Sequence, residues 1–212
     1  MNKKYAIFDM DGTLIDSMKY WQSLAGEYLK TKGIPKISQE LFEKIKPMTM
    51  SESAALFVQE LHLSGTPKAV EEEMNQMMDL HYKSDIPLKP GVKAYLHKLK
   101  EEGVSMCVAS ATAEPLMEAC LRRLGVLDCF EFLISCESVG AGKDRPDVYY
   151  AAVKRLGAGV QDAAIYEDAL YAARTAKREG FYVVGIYEES IASRWEEMKE
   201  IADEVILDWR TA

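Results

Sequence analysis

Asp9 and Asp11 stand two positions apart in the run KKYAIFDMDGTLIDS, residues 3–17, at the end of a short apolar stretch. Side chains at i and i+2 of a strand point the same way, so both carboxylates can face one cleft. A pair placed like this can hold a divalent cation, or divide into a nucleophile and a general acid/base. Gly12 lets the chain turn away directly behind it. A solvated acidic turn leaves the apolar residues on both sides unexplained. A calcium loop of the form D-x-D-x-D-G needs an acid at 13 and glycine at 14, where the chain has Thr13 and Leu14. Capping of a following helix by the two acids is the remaining alternative.

Such a pair needs a strand to carry it and a sheet to place it. Short runs rich in β-branched residues recur at 5–8, 104–110, 130–135, 163–166, 182–187 and 203–207. Helical periodicity fills 92–102, 114–124, 146–156, 169–179 and 190–201, and Gly103, Gly125, Gly157 and Gly180 fall where helices would stop. This alternation predicts an α/β fold, a Rossmann-like parallel sheet with helices on both faces and its ligand site beyond the carboxyl ends of the strands.

Residues 17–84 break the rhythm. Trp21, Leu24, Ala25 and Tyr28 recur at helical spacing, Thr49 and Glu52 suit a capping box, and Thr66-Pro67 suits another helix start. The inner face of that last helix is expected at Val70, Met74, Met77 and His81, with the methionines as core packing. The expected organisation is an α/β core of residues 1–16 and 85–212, interrupted by an all-helical insertion at 17–84.

The 212 residues carry 26 Lys and Arg against 34 Asp and Glu, a net charge of -8, with no basic cluster, so a nucleic-acid partner is not expected. No apolar run approaches the ~20 residues of a membrane span, and none has the length of a signal peptide. Four cysteines without a C-x-x-C pair fit reduced, packed thiols, and a cytoplasmic location is expected. His62, His81 and His97 lack metal-ligand spacing.

D-x-D-G-T after an apolar strand is specific, and here the chain resembles the haloacid dehalogenase superfamily of phosphotransferases, in the large subgroup with a helical cap. The resemblance spans essentially the whole chain. It implies Mg²⁺ as cofactor, a small phosphorylated metabolite as substrate, Asp9 as nucleophile forming an aspartyl-phosphate, and Asp11 as acid/base with its backbone carbonyl on the metal. Three further marks follow in order. Ser110, ending MCVAS, would hydrogen-bond a phosphoryl oxygen; helix capping by Ser110 or Thr112 is the alternative. Lys143, in GAGKDRPD, would offset repulsion between Asp9 and an incoming phosphate. GAGK is not a nucleotide P-loop, because Glu137 and Asp144 stand where Gly and Ser or Thr are required. Glu167-Asp168, ending AAIYED, would complete the metal site.

By the same resemblance, Thr13 and Ala111, and Lys46 and Thr49 in the insertion, are expected to touch the substrate. The chain departs from the pattern after Asp168: Ala169 replaces the usual Ser, and Ala172 and Ala173 stand where relatives carry another Asp, which makes Glu167 the second acid. The expected reaction is hydrolysis of a phosphate monoester. A haloacid dehalogenase proper needs no Mg²⁺ and lacks the acid that Asp11 supplies. A phosphomutase resembling β-phosphoglucomutase is the alternative, but its loop Lys-Gly-x-Ser-Arg reads KPMTM at 46–50, with Met50 at the arginine and Trp21 at an expected histidine. A non-catalytic binding protein is a third reading, against which the intact Asp9, Asp11, Lys143 and Asp168 speak.

Overall fold

The computed structural model describes residues 3–45, 48 and 50–212. The chain forms two compact units, one of residues up to Met18 with Ile86–Ala212, the other Lys19–Asp85.

The first unit is built on a 6-stranded sheet in the order β3-β2-β1-β4-β5-β6. The strands are β1 (Tyr5–Phe8), β2 (Ser105–Ser110), β3 (Phe132–Ser135), β4 (Ala163–Glu167), β5 (Tyr182–Ile186) and β6 (Glu204–Ile206), and every pairing is parallel. A parallel sheet is covered on both faces, so its central strands are apolar throughout rather than alternating. Ala6, Ile7 and Phe8 of β1 are accordingly all buried. Ile7, Cys107 and Ile165 face a core made with Val148, Tyr149 and Ala152 of helix Asp147–Leu156 and Ala173 and Ala176 of helix Leu170–Arg178. On the other face Phe8 stacks on Tyr166 with ring centroids 4.2 Å apart, and Tyr166 in turn stacks on Trp209 at 6.0 Å.

The chain runs outward from β1 through β2 to β3, then returns to the opposite side of β1 as β4. The crevice at that reversal is where a doubly wound sheet binds ligands. Register aligns Phe8 with Val108 and with Tyr166, so the residues after β1 and β4 emerge side by side. The Asp9 N–H continues the ladder to the Tyr166 carbonyl at 2.9 Å.

Gly125 and Gly157 end their helices in the left-handed conformation, at φ 67° and 69°. The helix expected over 190–201 is instead a 3-10 turn, Glu189–Arg194, followed by helix Trp195–Ile201. Neither Ser110 nor Thr112 caps the helix Glu114–Leu124, whose N-cap is Ala113 without a side-chain bond.

The second unit is helical: Met18–Thr31, which starts on the last residue of the first unit, then Gln39–Ile45, Met50–Glu60 and Pro67–Ser84. Thr66 caps the last of these, accepting from the Ala69 N–H at 3.2 Å, with Pro67 leading the helix. Its buried stripe is Val70, Met74, Met78 and Tyr82, a strict i, i+4 row, in place of the expected Met77 and His81. His81 is turned to polar partners: Nε2 lies 3.0 Å from Glu27 Oε2 and Nδ1 lies 3.0 Å from Asp85 Oδ1. Tyr28 donates to Glu73 Oε2 at 2.6 Å, joining the first and last helices. Among the described residues no helix is long and apolar enough to cross a membrane. All four cysteines are free and buried.

Candidate active site

Asp9 follows β1, Ser110 ends β2, Glu167 ends β4 with Asp168 next, and Lys143 stands four residues before helix Asp147–Leu156. All five are buried. Lys143 Nζ donates to Asp9 Oδ1 and, at 2.8 Å, to Glu167 Oε2. Asp9, Glu167 and Asp168 each offer a carboxylate oxygen, and these oxygens lie within 4.8 Å of one another. Three buried acids against one ammonium leave a negative excess. Charge of that kind is neutralised by protons or by a cation.

The protonation behaviour follows from that imbalance. Burial pushes Asp9 well above the usual carboxylate range; Lys143 pulls it back, and Glu167, Asp168 and Asp11 push it further up. Burial and the Glu167 charge raise Asp168 to about 7, against the pull of its Thr13 hydrogen bond. Burial works against the Lys143 ammonium, but Asp9 and Glu167 outweigh it and hold the lysine well above its ordinary value.

The donor set fits a hard divalent ion. Its atoms are carboxylate oxygens, which Mg²⁺ prefers. Gly12 is shaped to the same purpose. Its φ is +80°, and a Cβ there would collide with the Asp168 carboxylate, reaching 2.9 Å from Cγ. Only glycine meets both conditions.

Thr13, expected to touch substrate, turns its side chain to the acid cluster. It is fully buried, and its hydroxyl donates to Asp168 Oδ1 at 2.8 Å, so it orients an acid of the cluster. The cause is the turn at Gly12, which folds Leu14 N–H and Ile15 N–H back onto the Met10 carbonyl at 2.9 and 3.0 Å. Ala111 is exposed in the bend after β2 and offers backbone groups only. Ser110 Oγ accepts from the Thr112 N–H at 3.2 Å. Asp11 is half-buried and accepts from the Thr112 hydroxyl at 2.7 Å. Lys46 and Thr49 lie outside the described residues.

Two residues of the site escaped the sequence reading. Tyr149 donates to Glu167 Oε2 at 3.2 Å from inside the core, beside Lys143. Its only signal was its place on the inward face of the helix that follows Lys143. Thr112, which donates to Asp11, offers the sequence no signal beyond that of a helix cap.

Known proteins resemble the chain over most of its length. Validoxylamine A 7'-phosphate phosphatase of Streptomyces hygroscopicus subsp. limoneus is 27% identical over 86% of this chain and 85% of its own length. β-Phosphoglucomutase of Bacillus subtilis is 26% identical over 86% and 83%. A solved structure from Thermotoga maritima superposes with a TM-score of 0.85 at 19% identity, covering 98% of this chain and 95% of that one. The family of haloacid dehalogenase-like hydrolases matches residues 6–186, and with the site geometry this establishes that the chain belongs to that family.

Proposed function

We propose that the protein is a Mg²⁺-dependent phosphatase that hydrolyses a small, sugar-like phosphate monoester through a phosphorylated Asp9. The observation that carries this reading is the Lys143 ammonium held between Asp9 and Glu167, with Asp168 in the same buried cluster. The relatives named as a phosphatase and a mutase of phosphorylated sugars supply the substrate class.

In this reading an Asp9 oxygen attacks phosphorus in line with the ester oxygen, and the P–O ester bond breaks. Asp11 gives its proton to the departing alkoxide. Asp11, now ionised, takes a proton from water as that water attacks phosphorus, which frees inorganic phosphate and restores Asp9. Ser110 and the backbone at Ala111 hold phosphoryl oxygens. Lys143 offsets the charge between Asp9 and the phosphate, and Glu167 and Tyr149 keep that ammonium in place. Asp9, Asp168 and the Asp11 carbonyl would hold Mg²⁺, with Glu167 beside them. The ion supplies positive charge for the transferring phosphoryl group.

Chemistry is assigned to the sheet unit and choice of substrate to the helical unit. A mutase must also grip a second phosphate, and Met50 offers no donor where that grip needs an arginine. Hydrolysis is therefore the reading adopted.

The test is turnover of p-nitrophenyl phosphate and of a panel of sugar phosphates, with and without Mg²⁺, by the wild type and by Asp9→Asn. The wild type is expected to turn over with Mg²⁺ only, and the variant to fold without activity. A crystal grown with BeF₃⁻ should carry beryllium on Asp9. Wild-type rates in Asp9→Asn would remove the mechanism.

A further inference from the structure

Trp209 lies 196 residues from Thr13 in sequence, yet its indole N–H donates to the Thr13 carbonyl at 3.2 Å inside the protein. A buried indole N–H seeks one acceptor and has no other use. Thr13 is therefore held at two points: Trp209 grips its carbonyl, and its own hydroxyl grips Asp168 Oδ1 at 2.8 Å.

Trp209 is itself firmly seated. Its ring stacks on Tyr166, the residue before Glu167, and meets the edge of Tyr95 at a centroid distance of 5.0 Å. Tyr95 and Tyr166 join hydroxyls at 2.9 Å. Asp208 caps the short turn Trp209–Thr211 by accepting from the Arg210 N–H at 2.9 Å. The turn presses on Gly91, where a Cβ would lie 2.6 Å from the Trp209 carbonyl carbon.

We infer that Trp209 is a positioning residue for the cation site, fixing the aim of the Asp168 carboxylate through Thr13. The inference rests on the metal-dependent reading above. It predicts that removing one N–H from a residue that touches neither cation nor substrate loosens the grip on the cation.

The experiment uses Mn²⁺ as probe and counts the free ion by electron spin resonance, beside a thermal melt of each variant. Trp209→Phe keeps an aromatic ring in the stack and removes the donor; Thr13→Val keeps the volume and removes the hydroxyl. Partners that orient a ligand are typically worth ~10–100-fold in metal affinity. Thr13→Val should show a loss in that range and Trp209→Phe about tenfold, the lower end, because it acts through one more bond. The double variant should bind no more weakly than Thr13→Val alone, since both changes cut the same line of action. Wild-type affinity in Trp209→Phe, or losses that multiply in the double variant, would overturn the inference.

A second measurement stands if Trp209→Phe does not fold. Mg²⁺ added to ¹⁵N-labelled wild type should move the Trp209 indole resonance and leave that of Trp195 in place. An unmoved Trp209 signal at saturating Mg²⁺ would be equally fatal. A wild type that takes up no Mn²⁺ would remove the metal-dependent reading and this inference together; a wild type that binds while Trp209→Phe equals it removes this inference alone.

Discussion

The Thr112 hydroxyl donates to Asp11 Oδ2 at 2.7 Å, joining the turn after β1 to the bend after β2. A hydroxyl can donate to an ionised carboxylate and, on rotation, accept from a protonated one. It can therefore keep Asp11 aimed in both protonation states of an acid/base cycle. Asp11→Asn is expected to cut kcat by ~10²–10⁴-fold on an alkyl phosphate. Read as kcat/KM, which reports the steps up to departure of the alcohol, the loss should be smaller for p-nitrophenyl phosphate, whose leaving group needs no proton. Thr112→Val should show the same dependence on leaving group at smaller amplitude. Equal losses of kcat/KM on the two substrates would separate Thr112 from proton transfer to the leaving group.

Lys143 is the sole ammonium bonded to Asp9 and Glu167 among the described contacts. Lys143→Met leaves the acids buried without it. Breaking a buried pair from one side costs about 3–5 kcal/mol. Urea denaturation at neutral pH without divalent cations should show a loss of that order. The loss should shrink as pH falls, because protonated acids no longer need the ammonium, and Mg²⁺ should restore part of it.

Gly12→Ala meets two obstacles at once. The left-handed backbone costs a residue with a Cβ about 1–2 kcal/mol, and the new methyl collides with Asp168. A drop in Tm of about 2–8 °C follows from the backbone cost alone. Mn²⁺ affinity should fall as well, because the collision displaces an acid of the cluster. An alanine variant with unchanged Mn²⁺ affinity would show that Asp168 is not held by this close fit.

His81 gives the helical unit a pH dependence of its own. Partial burial lowers its pKa, but Asp85 and Glu27 outweigh burial and raise it above the ordinary 6.5. A histidine raised in the folded state binds its proton more tightly there than in the unfolded chain. Its contribution is thus fully present below pH ~6.5 and is lost as pH rises through the raised value. His81→Gln should remove that alkaline decline, as read from denaturation at a series of pH values, and an NMR titration of the ring should place its midpoint above that of a free histidine.

The acids of the cluster were legible because each ends or follows an apolar run, and strand ends in a parallel sheet converge. Asp9 and the pair Glu167-Asp168 could be placed together for that reason, while Lys143, in a loop four residues before a helix, was named through the family resemblance alone. The bond from Thr13 to Asp168 was not legible because the sequence shows which residue follows Gly12 but not how the turn is wound. The positive φ at Gly12 sends the Thr13 side chain inward to Asp168 rather than outward. Met77 and His81 were misjudged because 70-74-77-81 and 70-74-78-82 are both helical rows, and partners on another helix decide between them. Trp209 carried no local signal, since its acceptor is a carbonyl that any residue at position 13 would present.

Where the chain leaves the sheet unit and where it returns, the two strands of backbone are tied together. The Asp16 N–H donates to the Pro87 carbonyl and the Lys89 N–H to the Leu14 carbonyl, both at 2.9 Å, with Ile15 and Leu88 bridged antiparallel between them. The helical unit is thus a detour that begins and ends at one doorstep. Closing a flexible loop costs only ~0.6 kcal/mol more for each doubling of its length, so the sheet is nearly indifferent to what fills the detour. This is the geometry of an exchangeable module. A few glycines in place of Lys19–Asp85 should leave the sheet able to form, and a different helical insert could be grafted at the same doorstep without disturbing the acids beyond it.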